Sequence, residues 1–406
     1  MRRRLGCLLA VVTAAGALVP AAGAQTAPPT REQAARQVLG QRVEALKRGD
    51  RAAFLDTVDP SATPEFKVRQ GHLYDGLRSL PLASYELELR TDEVPDLAAG
   101  LAARYSADEA FLPPVEARYR LTGIDTIDAV DGYYYTFLRR DGRWRIVSDG
   151  DLEDVGLPSS RNLWDYGPVR QERTAHFTVV HDPADRKRAE ALATLCEQGY
   201  GRLTGGFGRT VPAHILVVLP HSLDQLKEIL QATFDLSNFV AFAGASVDRD
   251  DDWQATSPRV YVQDTNLSRS RREFQLQTFH HEFAHVAAFP LAGPAVASWI
   301  QEGMADWMAS GTKEPAAVEG TDGVIPDDWE FTTGGGDSIL RAYDESTSAM
   351  AFLAARKGKS APLDLLVRVG ETRVAPGTSA YRVDQALRAV YGAGLDQFQK
   401  DWNGGR

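Results

Sequence analysis

The opening third of the chain combines a helical hydrophobic pattern with several alternating segments. Apolar residues recur at helical spacing over residues 32–47, and residues 51–55 predict a second, shorter helix. Four later segments alternate between apolar and polar residues, at 84–89, 115–121, 132–138 and 143–148. Asp141-Gly142 separates the last two segments and is a signal for a tight β-hairpin. Helices followed by an antiparallel sheet predict an α+β fold.

The rest of the chain shows strand patterns first and helical patterns afterwards. Strand-like segments lie at 175–181, 213–219, 238–247 and 259–263. Residues 185–203 between them are helical in pattern, and Ser222 with Gln225 forms a capping box that opens another helix. Further helices are predicted from about residue 270 and at 347–356, 362–369, 381–391 and 395–402. This order also predicts an α+β fold, with the sheet ahead of most helices.

A change in composition divides these two patterns. The segment Gly156-Leu157-Pro158-Ser159-Ser160 is rich in residues that interrupt regular structure. A mature chain of about 380 residues is also longer than one ordinary core accommodates. We therefore predict two domains, residues 31–155 and residues 171–406, joined by a linker at 156–170.

The first domain resembles the SnoaL-like, nuclear-transport-factor-like superfamily. The resemblance is carried by the opening "helix, Gly-Asp, short helix" and by the closing hairpin with Asp-Gly-Arg-Trp-Arg-Ile. It implies a curved antiparallel sheet that encloses a pocket, a fold that serves many functions and specifies none. His72, Tyr74 and the tyrosines at 133–135 either line such a pocket or, as we expect, are ordinary core and surface residues.

The N-terminus has the organisation of a secretory signal peptide. Three arginines at 2–4 precede an apolar stretch at 5–19, and Ala22-Gly23-Ala24 is a small-x-small cleavage site. Residues 1–24 are therefore predicted to be removed, which makes the protein secreted or extracytoplasmic with no stable membrane insertion. The alternative is a retained N-terminal membrane anchor.

Charge and cysteine content narrow the possible partners. The formal net charge is −10 and falls to about −13 once the leader with its three arginines is removed. Such acidity argues against nucleic acid and anionic membrane surfaces as partners. Cleavage also removes Cys7, so Cys196 is left alone, forms no internal disulfide and is expected to be a buried apolar residue.

The clearest chemical signal is the segment His281-Glu282-Phe283-Ala284-His285. Residues four apart on a helix share one face, so His281 and His285 can point two imidazoles at one metal ion. Glu282 lies beside that face, where its carboxylate can reach a water molecule next to the metal. A catalytic zinc ion has three protein ligands and one open position, so a third ligand is required.

The segment Trp299-Ile300-Gln301-Glu302-Gly303-Met304-Ala305-Asp306 supplies a candidate, because Glu302 is a carboxylate in an otherwise apolar helix. HExxH followed by Trp-x-x-Glu-Gly-x-Ala-Asp resembles the gluzincin zinc metallopeptidases, and more narrowly the bacterial peptidase-MA-like domains. The resemblance implies a zincin-like fold for residues 171–406, with Zn²⁺ bound by His281, His285 and Glu302. It also implies that Asp306 orients a ligand histidine.

The same resemblance implies the catalytic roles. Glu282 takes the proton of the attacking water and passes it to the leaving amine. A tyrosine on a later helix stabilises the oxyanion, and Tyr343 in Tyr343-Asp344-Glu345-Ser346 matches that position. The alternative for Tyr343 is a packing residue at the start of a helix. Two histidines and a carboxylate also occur in iron oxygenases, but the glutamate within the motif favours hydrolysis.

The sequence thus predicts a secreted zinc-dependent peptidase that acts on a peptide or protein substrate. The Gly-x-Met-Glu-Asn segment of related aminopeptidases has no counterpart, and residues 242–247 occupy the comparable place, which favours an endopeptidase. We expect substrate to pair with an edge strand at 243–247 or 259–263, the first being preferred. A polar loop at 248–257 is predicted between these two strands, and residues 248–252 within it are expected to form a solvated hairpin tip. The alternative function is a non-catalytic extracytoplasmic ligand-binding protein with a vestigial zinc site.

Overall fold

The structure, a computed structural model, describes residues 29–91, 98, 100–207, 211–237, 239–251, 253–293, 296–311, 323–333, 336–371 and 380–404, with 202–207 described as backbone only. The predicted signal peptide lies outside these residues. The chain is a mixed α+β protein with several sheets, as predicted. None of the helices in the described part combines the length and apolar character that a membrane span needs.

Three helices open the first half: α1 (Arg31–Arg48), α2 (Arg51–Asp56) and α3 (Pro64–Ser79). The first two confirm the predicted helices. A capping box between Thr30 and Gln33 starts α1, and Gly49 ends it with a φ of 73° that favours glycine. The third helix is absent from the sequence prediction, although it begins with a Thr63 cap followed by proline in its first turn.

The strands of the first half form two three-stranded antiparallel sheets. The elements are β1 (Leu82–Leu89), α4 (Leu101–Arg104), β2 (Glu109–Phe111), β3 (Pro114–Leu121), β4 (Ala129–Tyr134), β5 (Thr136–Arg140) and β6 (Arg143–Ser148). Their orders are β1-β3-β4 and β2-β5-β6. The predicted single strand at 132–138 is wrong, because the chain leaves one sheet and enters the other at Tyr135.

The hairpin between β5 and β6 confirms the turn signal. Asp141 and Gly142 have φ angles of 49° and 74°. Two consecutive positive φ angles define the type I′ turn, whose twist matches that of antiparallel strands. Asparagine, aspartate and glycine tolerate this backbone conformation best, which explains why the dipeptide predicts the turn.

The second half contains one five-stranded sheet. Its strands are β7 (Arg170–Arg173), β8 (Phe177–His181), β9 (Ile215–Leu219), β10 (Ala241–Asp248) and β11 (Gln254–Val262), in the order β10-β11-β9-β8-β7. β10 and β7 are the two edge strands of this sheet, which confirms 243–247 as part of an edge. The other candidate, 259–263, belongs to β11 between β10 and β9 and is not an edge. A bulge interrupts the β10–β11 register between Gly244 and Ser246.

The acidic segment after β10 differs from its prediction. The predicted polar loop at 248–257 is too long, because β11 already begins at Gln254. The predicted solvated tip is also wrong for Asp248, whose carboxylate is largely buried and pairs with Arg118 of β3.

Helices complete the second half: α5 (Arg186–Phe207), α6 (Leu223–Leu230), α7 (Asp264–Arg269), α8 (Arg272–Ala288), α9 (Ser298–Ala309), α10 (Gly336–Lys357), α11 (Ala361–Gly370), α12 (Ala380–Val390) and α13 (Leu395–Gly404). The four helices predicted beyond Glu302 are confirmed as helices. The first of them starts at Gly336 rather than at 347, so Tyr343 lies in its second turn rather than ahead of it.

The two faces of the five-stranded sheet bury different sets of side chains, because neighbouring residues of a strand point to opposite faces. Val217 and Leu219 of β9 join the core that includes α8 and α9. Leu216 and Val218 join the core of the first half. The segment predicted as a linker also contributes Trp164 to that second core.

Candidate metal centre

The motif helix α8 is fixed to the sheet by two phenylalanines on the side away from its ligand candidates. Phe279 and Phe283 are fully buried, and the Phe283 ring lies 4.8 Å from the ring of Phe177 on β8, measured between centroids. Because residues four apart share a helix face, this packing leaves His281 and His285 together on another side of α8. The two imidazole centroids are 4.7 Å apart.

Helix α9 carries the third candidate ligand and packs against both α8 and α10. Gly303 sits at the tightest point, where a Cβ atom would lie 2.5 Å from the carbonyl oxygen of Ser346 on α10. Real Cβ atoms do not approach that closely, so the glycine of the Glu-Gly-x-Ala-Asp segment permits the contact. The close approach keeps Glu302 and Asp306 between α8 and α10.

The three candidate ligand atoms converge as a metal site requires. The Nε2 atoms of His281 and His285 are 3.0 Å apart, and the Glu302 Oε2 atom lies 3.0 Å from the first and 3.3 Å from the second. A tetrahedral zinc ion with bonds of about 2.0–2.1 Å separates its ligand atoms by about 3.3 Å. Two imidazole nitrogens and one carboxylate oxygen at this spacing therefore fit Zn²⁺.

Asp306 orients the first of these histidines. The Nδ1 atom of His281 donates to the Asp306 Oδ1 atom over 2.7 Å, and the Thr347 hydroxyl donates to the other carboxylate oxygen over 2.9 Å. A proton on Nδ1 leaves the lone pair of Nε2 directed towards the other two ligands. The structure thus brings Asp306 to the position that the sequence predicts, and adds Thr347 as its partner.

The charges around the ligands favour a cation. Burial opposes protonation of His281, but the carboxylates of Asp306 and Glu302 outweigh burial and raise the pKa of His281 well above its usual value. Burial also opposes ionisation of Glu302, yet His285 and His281 together hold its pKa far below the usual range. Including Glu282, three carboxylates surround two imidazoles, which is an excess of negative charge in a buried place.

Glu282 lies next to the ligands, at the boundary between α8 and the edge strand. Its side chain is buried, and the backbone N–H of Ala243 on β10 donates to its carboxylate. Burial raises the pKa of Glu282, although His281 and His285 act in the opposite direction. A raised pKa suits a group that must accept a proton and release it again.

Tyr343 reaches the same site from α10. Its ring centroid lies 6.1 Å from that of His281, and its hydroxyl is near the carboxylate of Glu302. Burial and the nearby carboxylates of Glu302 and Glu282 raise the pKa of Tyr343 well above its usual value, so it remains a donor. The ring also packs edge-on against Phe331, with 5.4 Å between the ring centroids.

A cleft of about 440 Å³ opens beside the ligands. It is lined by His281, Glu282, Asp306 and Tyr343 and by Phe239, Val240, Ala241, Phe274, Gln277, Thr278, Gly336, Ile339 and Leu340. Phe274 and Leu340 are 48% and 64% exposed, which is unusual for large apolar side chains. Sequence analysis misses this apolar lining, because the residues come from α8, α10 and the approach to β10 and share no motif.

A second group of possible metal ligands contains a carboxylate that already has protein partners. Asp182, Asp185 and His221 bring their side-chain atoms together near the start of α5. Both oxygens of Asp185 have partners, because Arg188 donates to one and His221 lies 2.8 Å from the other. We therefore assign no metal to this group.

The candidate pocket residues of the first half have ordinary roles. Tyr133 and Tyr135 are buried and stack with their ring centroids 5.4 Å apart. Tyr74 is buried as well, whereas His72 is exposed on α3. Cys196 is a fully buried residue of α5, as expected, and burial raises the pKa of its thiol.

No model of a known protein family matches this chain, and no curated protein is significantly similar to it. The geometry of the site therefore carries the functional argument.

The close contact at Gly303 leads to a stability prediction. Gly303→Ala should lower the free energy of unfolding by about 1–3 kcal/mol, because the added Cβ meets Ser346 at 2.5 Å and Met350 at 2.9 Å. The matched control is Gly40→Ala in α1, where a Cβ meets nothing within 4 Å. That control should be neutral or stabilise the protein by up to about 1 kcal/mol. Urea unfolding measures both, and equal effects would show that α9 and α10 are not in close contact.

Proposed function

We propose that this chain is a secreted zinc-dependent peptidase that hydrolyses peptide bonds. The observation that carries the proposal is the convergence of two imidazole nitrogens and one carboxylate oxygen, with the separate buried carboxylate of Glu282 beside them. A metal site that only stabilises the fold has four protein ligands. Three ligands next to an open cleft and a free carboxylate instead favour hydrolysis.

The residues divide the chemistry among them. Zn²⁺ held by His281, His285 and Glu302 would supply a Lewis acid and lower the pKa of water to about 7. Glu282 accepts the proton of the attacking water and delivers it to the leaving amine. Tyr343 donates its hydroxyl to the oxyanion that develops on the substrate carbonyl.

The edge strand indicates how substrate is held. β10 is the outermost strand of its sheet, and Ala241 at its start lines the cleft beside Glu282. An extended peptide adds to such an edge through main-chain hydrogen bonds. Residues 242–247 hold no counterpart of the Gly-x-Met-Glu-Asn segment that binds a free amino terminus in related aminopeptidases, so we infer an endopeptidase rather than an aminopeptidase.

The two-domain arrangement belongs to the same proposal. Residues 31–155 are a SnoaL-like domain and residues 171–406 a zincin-like domain, with 156–170 between them. Two separate hydrophobic cores support this division. The face of the five-stranded sheet that carries Leu216 and Val218 completes the core of the first half. The net negative charge of the chain argues against nucleic acid as a partner. The partner in this proposal is a peptide or protein substrate.

The test combines metal analysis with a peptide digest. Mature protein should contain about one zinc per chain, and mass spectrometry of a digested peptide library should find cleavage within the peptides. A chelator should abolish cleavage, and added zinc should restore it. Exclusive removal of N-terminal residues would reject the endopeptidase. Zinc-loaded protein that yields no product but retains a small ligand would favour the non-catalytic binding protein.

A further inference from the structure

The β10–β11 hairpin is attached to the first half of the chain by a two-point ion pair. Arg118 of β3 donates through Nη1 to the Asp248 Oδ2 atom over 2.6 Å and through Nη2 to Oδ1 over 3.1 Å. The two side chains are 17% and 14% exposed. Parallel hydrogen bonds between a guanidinium and a carboxylate fix orientation as well as distance, and partial burial limits screening by salt.

Neighbouring charges extend this pair into a network. Arg90 lies 2.6 Å from Asp250 on the same hairpin, and Glu116 on β3 accepts from both arginines, over 3.3 Å from Arg90 and 3.0 Å from Arg118. Networks of this kind contribute more than isolated surface pairs, because each side chain is already ordered by another partner. The contact therefore constrains the hairpin.

The distal hairpin, residues 246–251 and 253–256, depends on such support. β11 pairs with β9 only from Arg259 to Tyr261, so within the described part of the chain no third strand is hydrogen-bonded to the distal hairpin. Regular strand geometry is interrupted where the distal hairpin begins. In β10 the interruption is the bulge after Gly244, and in β11 it is Ser257, which has a φ of 45°. A two-stranded ribbon alone is marginally stable in water.

Two further contacts continue along the same face. The Ser257 hydroxyl donates to the backbone carbonyl of Ile127 over 2.9 Å. The buried Arg259 guanidinium lies 2.6 Å from Asp125. The first half thus contacts the hairpin at Asp248 near its tip and in the middle of β11, whereas Ala241 at the start of β10 borders the cleft.

We propose that the first half of the chain positions the substrate-binding strand, and that Arg118 is the positioning residue; this rests on the proposed function. The Arg118–Asp248 pair holds the distal hairpin, and through it keeps β10 in register with β11. That register keeps Ala243 opposite Val260 and beside Glu282, and it holds the β10 edge in place for an incoming peptide. Arg118 itself does not contact the substrate.

Arg118→Ala tests the proposal through substrate affinity. We expect KM for an internally quenched peptide to rise about five-fold. The kcat and the zinc content should stay within two-fold of wild type, and a two-fold change in kcat corresponds to about 0.4 kcal/mol. Arg118→Lys keeps the charge but loses the two-point bond, and should restore part of the affinity. The matched control is Arg120→Ala, since Arg120 faces the same side of β3 and pairs with Asp128 inside its own sheet.

Hydrogen exchange measures the hairpin independently of catalysis. In Arg118→Ala, amides of the distal hairpin should exchange faster, while those of β8 and β9 remain unchanged. Unchanged exchange, or faster exchange with an unchanged KM, would overturn the positioning role, and so would an equal effect of Arg120→Ala. If the wild-type protein cleaves no peptide, the proposed function fails, and the exchange data alone decide whether Arg118 holds the hairpin.

Discussion

Glu282→Gln is expected to reduce kcat by about 10³–10⁴-fold while the protein retains its zinc. Glutamine has the same shape as glutamate and can still accept the Ala243 N–H, so the side chain keeps its place. It cannot take a proton from water, however, and it cannot return one to the leaving amine. Steady-state kinetics on an internally quenched fluorescent peptide measure kcat. Inductively coupled plasma mass spectrometry measures the zinc bound per chain.

The matched control for this variant is on the same helix. Glu273→Gln changes an exposed glutamate in the first turn of α8, and it should leave both kcat and zinc content unaltered. Undiminished cleavage by Glu282→Gln would rule out Glu282 as the proton acceptor. Loss of zinc from it would instead place Glu282 among the ligands.

The local part of the candidate site was predictable from the sequence. His281, His285 and Glu282 share one helix, so their relative positions follow from helix geometry alone. Glu302 and Asp306 are four residues apart on a second helix, which is again a local relation. Their side chains meet as predicted, because α8 and α9 are joined by a short connection and pack directly together.

The contributions of distant segments were less predictable. Tyr343 was predicted only from a resemblance, and its distance from His281 depends on how α10 packs against α9, which Gly303 permits. Thr347 carries no signal of its own, although it completes the hydrogen bonds of Asp306. Such roles follow from the tertiary packing of side chains and not from spacing along the chain.

The missed helix α3 has a similar explanation. Its buried face includes Gly71 and Gly76, which weaken both helix propensity and the apolar pattern. A Cβ at Gly76 would lie 1.9 Å from the carbonyl oxygen of Trp164, so the glycine serves a close contact with the segment predicted as a linker. The glycines of α3 therefore weaken its helical pattern in the sequence, and Gly76 is at the same time required for its packing.

The hairpin shows how tertiary contacts change the meaning of a charged segment. Residues 248–252 are mostly acidic, and a charged segment of this kind is usually exposed to solvent. Here Asp248 instead meets Arg118 from a strand that is 130 residues away in sequence. Complementary charges on two distant segments cannot be matched from one sequence, because each arginine of β3 has several acidic candidates.

Removal of a metal ligand is expected to have the second large effect. His281→Ala or His285→Ala leaves two protein ligands, and zinc content should fall from about one per chain to below about 0.1 after dialysis. Cleavage should disappear with the metal. His221→Ala is the matched control, because His221 belongs to the other group of possible ligands, and it should retain one zinc per chain.

Thermal unfolding distinguishes loss of the metal from loss of the fold. Zinc that binds only the folded state stabilises it by about 2.7 kcal/mol at a hundredfold excess over Kd. Added zinc should therefore raise the Tm of the wild type and of His221→Ala, but not that of His281→Ala. If zinc raises the Tm of His281→Ala equally, the metal binds elsewhere, and the three converging side chains are not its site.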